Sequence, residues 1–351
     1  MTSTNHYAGP VPVPPIPLLL VLDGNSLLHR AYHAAATGRL LDHGDRPVWA
    51  LKGLVGYVAR AAARLRPDAV VVGFDCPDHS ARKVDYPLYK AQRPEKPADL
   101  AEQIAIAPAL LRAAGIGTVT PTAYEADDVL ASSAAHARRS GWRSVLMTSD
   151  RDSFALIDAS TSVLRIRNGG FNEAVMVTPA SLAEIYGVAP SQYRDYAALR
   201  GDPSDNLRGV PGFGSATAAR LLAAFGSVDE AWAVWDGGDE QAIRDVVGDK
   251  AAEQFGSPAA REAVDRNRRL MAMRDDLPIP KLDTVRLPLD LGTMKRVLAG
   301  HGIILGPSLW ALTGGRSPVA GPDAVPVPHQ WTWKKSLRAR RDPMPGQLAL
   351  F

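Results

Sequence analysis

Three unbroken apolar runs punctuate the first 150 residues: "LLLVL" (18–22), "DAVVVGF" (68–74) and "RSVLMTS" (143–149). Continuous apolar runs of this length read as strands buried on both faces, as in a parallel sheet. Between them the apolar period changes. "WALKGLVGYVARAAARL" (49–65) spaces its apolar residues as a helix face does. "LLHRAYHAAA" and "LAEQIAIAPALLRAAG" are helical in character, the second despite Pro108, and "AYEADDVLASSAAHARRSG" is a helix closed by Gly141. "TSVLRIR" and "EAVMVT" predict a hairpin around Asn168-Gly169-Gly170. Alternating strands and helices predict an α/β domain with a mostly parallel central sheet and helices on both faces.

From about residue 178 the pattern is helical only: "PASLAEIYG", "SQYRDYAALRG", "SATAARLLAAFG", "SVDEAWAVW" and "REAVDRNRRLMAM". The expected division is a disordered segment at 1–17, a catalytic α/β domain at 18–177, a helical domain at 178–312 and a flexible basic tail at 313–351. No internal repeat is visible. The N-terminal 17 residues carry no Lys or Arg, and the apolar run after them ends at Asp23. Neither a signal peptide nor a membrane span is expected. The single cysteine, Cys76, excludes an internal disulfide and any thiolate metal cluster, and fits a reducing cytoplasm.

Acidic residues fall where the predicted strands end. Asp23 closes the first run, Asp75 follows the second, and Asp150 follows the third, with Asp152 two residues on. In an open parallel sheet, ligands gather at the carboxyl ends of the strands. One such Asp is usually a cap or turn residue; three independent ones point to a site. The stretch "AYEADDVLA" adds Glu125, Asp127 and Asp128. Glu125 and Asp128 are three apart and share a helix face. A helix dipole offsets part of the repulsion among them. A third acid beside three strand-end aspartates calls for cations, and hard divalent ions with oxygen ligands fit. "RGDPSDNLRGVPGFGSATAARLL" supplies Asp202 and Asp205, also three apart. By itself that pair reads as a helix start, with Asp202 as N-cap and Pro203 next. The glycine-rich turn that follows, with Gly209, Gly212 and Gly214 before a helix near Ser215, presents amides suited to phosphate. Beside two further acids it looks like a helix–hairpin–helix clamp on a nucleic-acid backbone.

Charge sharpens this picture. Net charge is +3, from 40 basic and 37 acidic side chains. Setting aside the nine acids assigned to one site leaves the rest of the chain with an excess of twelve positive charges. A basic body around an acidic pit suits a polyanionic substrate held over bound cations. "ARKVDYPLYKAQRPEKPADL" (81–100) concentrates Arg82, Lys83, Lys90, Arg93 and Lys96, with Tyr86 and Tyr89 among them. Cations neutralise phosphates and tyrosines stack on unpaired bases. Lys90 is the candidate for stabilising charge on a transferring phosphate.

"LVLDGNSLLHRAYHA", "FDCPDHSARKVDYPLYKAQRP", "YEADDVLA", "TSDRDSFAL" and "GDPSDNLRGVPGFGSATA" resemble, in order and spacing, the bacterial 5′ nucleases. That family includes the N-terminal 5′→3′ exonuclease domain of DNA polymerase I and free-standing flap endonucleases. The resemblance covers about residues 18–300, and no polymerase sequence follows, so it implies a stand-alone member. It implies a PIN-like α/β domain with a helical arch at about 78–110, and a helix–three-turn–helix element in the second domain. It implies hydrolysis of DNA phosphodiesters near the 5′ end of flapped, nicked or gapped duplexes, with two Mg²⁺ or Mn²⁺ ions about 4 Å apart, one acidifying the attacking water and both stabilising the in-line transition state. All nine family acids are present: Asp23, Asp75, Glu125, Asp127, Asp128, Asp150, Asp152, Asp202 and Asp205. Asp23, Asp75, Glu125, Asp128 and Asp150 are the expected direct ligands; the other four are expected at the second ion. Arg82, Lys90 and Arg93 match catalytic arch positions. Tyr89, Lys83 and Lys96 are expected to contact DNA, as are the hairpin residues Gly209, Val210, Gly212, Gly214, Ser215 and Thr217, where the family often holds K⁺ against a duplex phosphate.

Two positions depart from the family pattern. Ala216 stands where the hairpin usually has lysine, which weakens the expected duplex contact. Phe154 replaces a usual glutamine, with no effect the sequence predicts. The chain ends in "GQLALF", and "QLALF" resembles the peptide by which bacterial replication enzymes bind the sliding clamp. It implies that Gln347, Leu348, Leu350 and Phe351 bind that partner. A monomer in the bacterial cytoplasm, associated with the nucleoid and not with membrane, is the expected form. The alternatives are a PIN-type ribonuclease, which would need neither hairpin nor basic arch, and a non-catalytic binder of branched DNA.

Overall fold

The computed structural model describes residues 15–34 and 40–317. Along the first half run β1 (Leu18–Asp23), α1 (Gly24–Ala34), α2 (Trp49–Leu65), β2 (Ala69–Gly73), α3 (Ala81–Asp85), α4 (Ala98–Ala113), β3 (Gly117–Val119), α5 (Ala126–Arg139), β4 (Arg143–Thr148), β5 (Thr161–Arg167) and β6 (Gly170–Val177). The six strands form one sheet in the order β3-β2-β1-β4-β5-β6, parallel except for β6. β1 sits at its centre, as its unbroken apolar run predicts. Leu19 and Val21 face one core and Leu20 and Leu22 the other. Helices α1, α2 and α4 cover the second face, and α5 covers the first. The chain builds outward from β1 to β3 on one side and then crosses over to β4. The carboxyl ends of β1 and β4 therefore flank the point where strand order reverses, which is where open α/β sheets bind ligands.

The second half continues with α6 (Pro179–Tyr186), α7 (Tyr193–Arg200), the two-residue strands β7 (Gly201–Asp202) and β8 (Leu207–Arg208), α8 (Ser215–Phe225), α9 (Val228–Asp236), α10 (Glu240–Val247), α11 (Asp249–Phe255), α12 (Pro258–Leu270) and α13 (Leu291–Gly300). Gly201 lies so close to the backbone at Gly209 that a Cβ would stand 2.3 Å from the Gly209 nitrogen. That approach pins the hairpin to the end of α7. The turn Val210–Phe213 then leads into α8, which begins at Ser215 as expected.

Two boundaries differ from expectation. The arch expected at about 78–110 includes α4, yet Leu100, Ala107, Leu110 and Leu111 of α4 are buried in the core. Only the stretch from about 78 to 97 stands outside the sheet's helical layer. The helical domain expected to run to 312 ends earlier. Leu282 and Val285 pack beside β2 and β3, and Met294, Leu298, Ile303, Leu309 and Leu312 join the core of the α/β domain. The Leu287 amide donates to the Asp68 carbonyl. The chain thus returns to its first domain, because this stretch carries apolar side chains that the sheet's helical layer buries. β3 was missed, being three residues long. Among the described residues no helix is long and apolar enough to cross a membrane. Residues 1–14 and most of the tail lie outside the described residues.

Candidate active site

The strand-end acids meet at the carboxyl edge of the sheet. Asp23 ends β1 and is buried, with one carboxylate oxygen accepting from the Ser26 amide (2.9 Å) and the other from the Thr148 hydroxyl (2.8 Å). Burial first, then the charges of Asp75 and Asp150, push its pKa up to about 7. Asp75 accepts from the Ala126 amide at the start of α5 (2.9 Å), and burial also raises its pKa. Asp150 accepts from the Asp152 amide (3.0 Å). Its charge acts on Asp23, Asp127, Asp152 and Asp205, so it stands between the two halves of the acidic set. On one side are Asp23, Asp75, Glu125 and Asp127. On the other, Asp152 feels Asp202 and Asp205 as well as Asp150.

Glu125 is the N-cap of α5, and Asp127 and Asp128 lie in its first turn. The structure separates these two aspartates. Asp127 turns into the pit, where burial, then Asp150 and Asp23, push its pKa up; its Oδ1 is buried with no partner. Asp128 turns away. Its two oxygens accept from both Nη atoms of Arg82 (2.7 and 2.9 Å), from the Glu125 amide (2.9 Å) and from the Arg274 amide (2.9 Å). The expectation of Asp128 as a direct metal ligand draws no support from this arrangement. Spacing of i, i+3 put it with Glu125, but the pair is a capping arrangement that ties α5 to its own N-terminus.

Arg82, expected at a catalytic arch position, serves as scaffold in this arrangement. Its Nε donates to the Leu270 carbonyl (2.8 Å) and Nη2 also to Ala272 (3.0 Å), so every edge of the guanidinium is used to fasten α3, α5 and the end of α12 together. Tyr89 is likewise not a stacking platform in this conformation. Its ring is buried and its hydroxyl donates to Glu125 (3.2 Å).

Lys90 does reach the acids. Its Nζ donates to Glu125 at 2.9 Å. Burial alone would lower the Lys90 pKa, and Asp205 and Glu125 outweigh it to raise the value. Burial alone would raise Glu125, and Lys90 and Arg82 outweigh it in the other direction. Lys90 adopts a left-handed backbone (φ 55°), which costs a non-glycine residue energy and marks a constrained turn. Neighbours pin it there. The Lys90 amide donates to the Asp205 carbonyl (3.1 Å), Gln92 to Pro203, Arg93 to Ser204 and to the Asp205 carboxylate (2.6 Å), and Asn206 to Leu88. Residues 88–93 therefore lie down on the 203–206 turn. Lys83 and Lys96 are exposed beside them.

At the hairpin, Gly212 has a left-handed φ of 85°. Gly212, Gly214 and Ser215 are exposed, and α8 has no side-chain cap, which leaves its first amides open to an anion. Val210 differs: its side chain is buried and its amide donates to the Leu199 carbonyl (2.8 Å), so it serves the turn and not a ligand.

Among the described residues no three acidic, His or Cys side chains already converge on one point as metal ligands. The acids share the pit, with Lys90 bonded to Glu125 and Arg93 to Asp205. The donor set nonetheless fits hard cations: all are carboxylates, they come from β1, β2, β4 and α5, and one oxygen is left orphaned in the middle.

Sequence reasoning missed several supports. Asn25, Ser26, Thr148 and Ser149 orient the acids or their neighbours, and they sat in plain view inside "LDGNS" and "MTSDRD". Arg30 was also missed. It donates to the Ser149 hydroxyl (2.8 Å) and the Arg167 carbonyl (2.8 Å) beside the pit.

Two family models match in tandem: "5′-3′ exonuclease, N-terminal resolvase-like domain" over residues 18–187, and "5′-3′ exonuclease, C-terminal SAM fold" over 188–290. The chain belongs to the 5′-3′ exonuclease family. DNA polymerase I of Mycobacterium tuberculosis is 37% identical over 272 residues, covering 77% of this chain and 29% of the polymerase. The thermostable DNA polymerase I of Thermus thermophilus is 32% identical over 298 residues, 82% of this chain and 34% of that one. The chain thus spans about a third of the length of these relatives. Among solved structures, the T5 D15 protein co-crystallised with metal ions superposes with a TM-score of 0.58 at 19% identity, covering 85% of this chain and 97% of that one. The catalytic core of Rad2 in complex with DNA substrate gives 0.53 at 16% identity, with 85% and 92% covered. Both share the fold: a resolvase-like, PIN-type α/β domain followed by a helical domain.

Proposed function

We propose that the chain is a divalent-metal-dependent, structure-specific 5′ nuclease, hydrolysing DNA phosphodiesters near the 5′ end of flaps, nicks and gaps. One observation carries the reading: the buried, unpartnered Oδ1 of Asp127 lies among acids from three strands and one helix, an arrangement that is costly unless cations enter it. Asp23, Asp75, Glu125, Asp127 and Asp150 would hold one side of a two-ion site, and Asp152, Asp202 and Asp205 would serve the other. Mg²⁺ or Mn²⁺ there would acidify an attacking water and stabilise charge on the phosphate. The solved relatives crystallised with metal ions and with DNA support the reading by analogy.

The chain's own side chains do the rest. Ser26 and Thr148 hold the Asp23 carboxylate in one orientation, and the start of α5 holds Asp75. Lys90, placed over Glu125, supplies positive charge beside the reacting phosphate once Glu125 is taken up by a cation. The hairpin amides and the start of α8 would grip a duplex phosphate, with K⁺ as a bridging ion. The hairpin and the basic segment favour a DNA-structure nuclease over a PIN-type ribonuclease. In this reading the enzyme is a monomer working at cytoplasmic, nucleoid DNA, and its terminal Gln347, Leu348, Leu350 and Phe351, which lie outside the described residues, recruit it to the sliding clamp. Digestion of end-labelled 5′-flap, nicked and gapped DNA and of single-stranded RNA, with Mg²⁺, Mn²⁺ or EDTA, tests the reading. Metal-dependent cleavage of the flap over the RNA supports it. RNA cleavage alone, or binding without cleavage, would replace it by one of the two alternatives.

A further inference from the structure

The three cations that the sequence places at catalytic positions are already occupied. Arg82 is spent on Asp128, Lys90 on Glu125 and Arg93 on Asp205. On the opposite flank of the pit stands a group of arginines with no such partners. Arg165 lies on β5, in register with Thr148 of β4, two residues before Asp150. Its guanidinium carbon is 5.9 Å from the Phe154 ring, and Nη1 reaches the Tyr186 hydroxyl only at 3.5 Å. Its Nε is buried with no hydrogen-bond partner. The hydroxyls of Tyr186 and Tyr193 act on it, and the charged groups among its neighbours, Arg151 and Arg167, are both of its own sign. Arg151 faces the same two tyrosines, and Asp202 and Asp150 act on it after them. Among the described residues none of the three makes an ion pair.

A strand that packs on the core could hold an apolar side chain at 165 more cheaply. A desolvated guanidinium with an orphaned N–H and two like charges beside it is unfavourable as it stands. An anion removes that penalty, and the planar fork of arginine matches two oxygens of a phosphate. We propose that Arg165, with Arg151 and Arg167, forms a phosphate-binding subsite for the nucleic-acid backbone, holding a phosphate that neighbours the one cleaved. The inference rests on the nuclease reading above and adds a contact surface to it. It also gives Phe154 a role: as the floor beneath Arg165, packed against Tyr186 and Tyr193, it keeps the guanidinium from sinking into the core.

The test compares the full chain with R165M and R151Q. Dissociation constants for a 5′-flap DNA are read by fluorescence anisotropy in EDTA over a series of KCl concentrations, alongside melting temperature and single-turnover cleavage at saturating DNA with Mg²⁺. The expected result is binding weakened by about tenfold in R165M, with a salt slope shallower by about 1. Its melting temperature should be unchanged or higher, because the methionine relieves a buried unpaired charge. R151Q should shift binding in the same direction by a smaller factor. Unchanged affinity and salt slope in R165M would overturn the subsite, as would a lowered melting temperature with unchanged binding, which marks a structural arginine. If the unaltered protein binds flap DNA but cleaves nothing, the nuclease reading fails while the subsite still stands or falls on the binding series. If it binds no flap DNA, both fail.

Discussion

Asp127 and Asp128 are adjacent in the chain and do opposite work. Asp127 points into the pit among Asp23 and Asp150 with an oxygen left unpartnered, while Asp128 points out of it into the grip of Arg82. Successive residues of a helix differ in direction by about 100°, which suffices to send one carboxylate to the metals and the other to the scaffold.

The two should therefore fail differently. Asp127→Asn should abolish metal-dependent cleavage and leave the melting temperature unchanged or raised, since it removes one of several repelling charges. Asp128→Ala should strip Arg82 of its bidentate partner, leaving it two backbone carbonyls and a 3.5 Å contact with Glu125, and cost about 3 kcal/mol of stability. Denaturant unfolding of both variants checks this. A stable Asp128→Ala protein that has merely lost metal affinity would restore Asp128 to the ligand set.

Protonation gives a second test. Burial raises the pKa of Asp23 to about 7, and those of Asp75, Asp127, Asp152 and Asp205 also lie above the ordinary carboxylate value; Glu125 alone of this set moves the other way. Between about pH 4 and 7 the folded protein then binds more protons at Asp23 than the unfolded chain, and the other raised acids act in the same direction, so their contribution to stability falls as pH rises. Divalent ions displace the same protons. The gain in melting temperature on adding Mg²⁺ or Mn²⁺ should be larger at pH 8 than at pH 5. An equal gain at both would mean that the ions do not enter the acidic pit.

Lys90 competes with cations for Glu125. Lys90→Ala should lower turnover at saturating flap DNA by roughly 10²-fold, with a much smaller change in KM, as expected of charge used in the transition state. Its affinity for divalent ions should hold or tighten. A loss confined to KM would make Lys90 a plain phosphate contact.

The α/β order, the central strands and the strand-end acids were legible because each rests on a local signal: an unbroken apolar run, then an acid. The split of Asp127 from Asp128 was not, because it depends on which way α5 turns and on Arg82 and the 270–274 segment, remote in sequence. The same holds for Tyr89, whose ring is buried by contacts no local pattern encodes. Arg165 was hidden for another reason. In "TSVLRIR" it reads as the polar side of an alternating strand, and only the packing of Phe154 and Tyr186 shows that it faces inward.

The proposed clamp-binding peptide gives a further test. A chain ending at Gly346 should cleave flaps in isolation at the full-length rate and lose binding to purified sliding clamp, measured by titration. The short contact implies roughly micromolar affinity for the full chain. Equal clamp binding by both chains would sink the assignment of Gln347, Leu348, Leu350 and Phe351.

The central claim is that the acids at the carboxyl edge of the sheet run metal-dependent hydrolysis, with Asp150 as the residue shared by both halves of the set. The most direct measurement is single-turnover cleavage of a labelled 5′-flap DNA by Asp150→Asn and the unaltered protein, each with Mg²⁺, paired with anisotropy of the same DNA. The account predicts that the unaltered protein cleaves, and that the variant loses cleavage by at least roughly 10³-fold while binding the flap within a few-fold. Turnover by Asp150→Asn near that of the unaltered protein would contradict it.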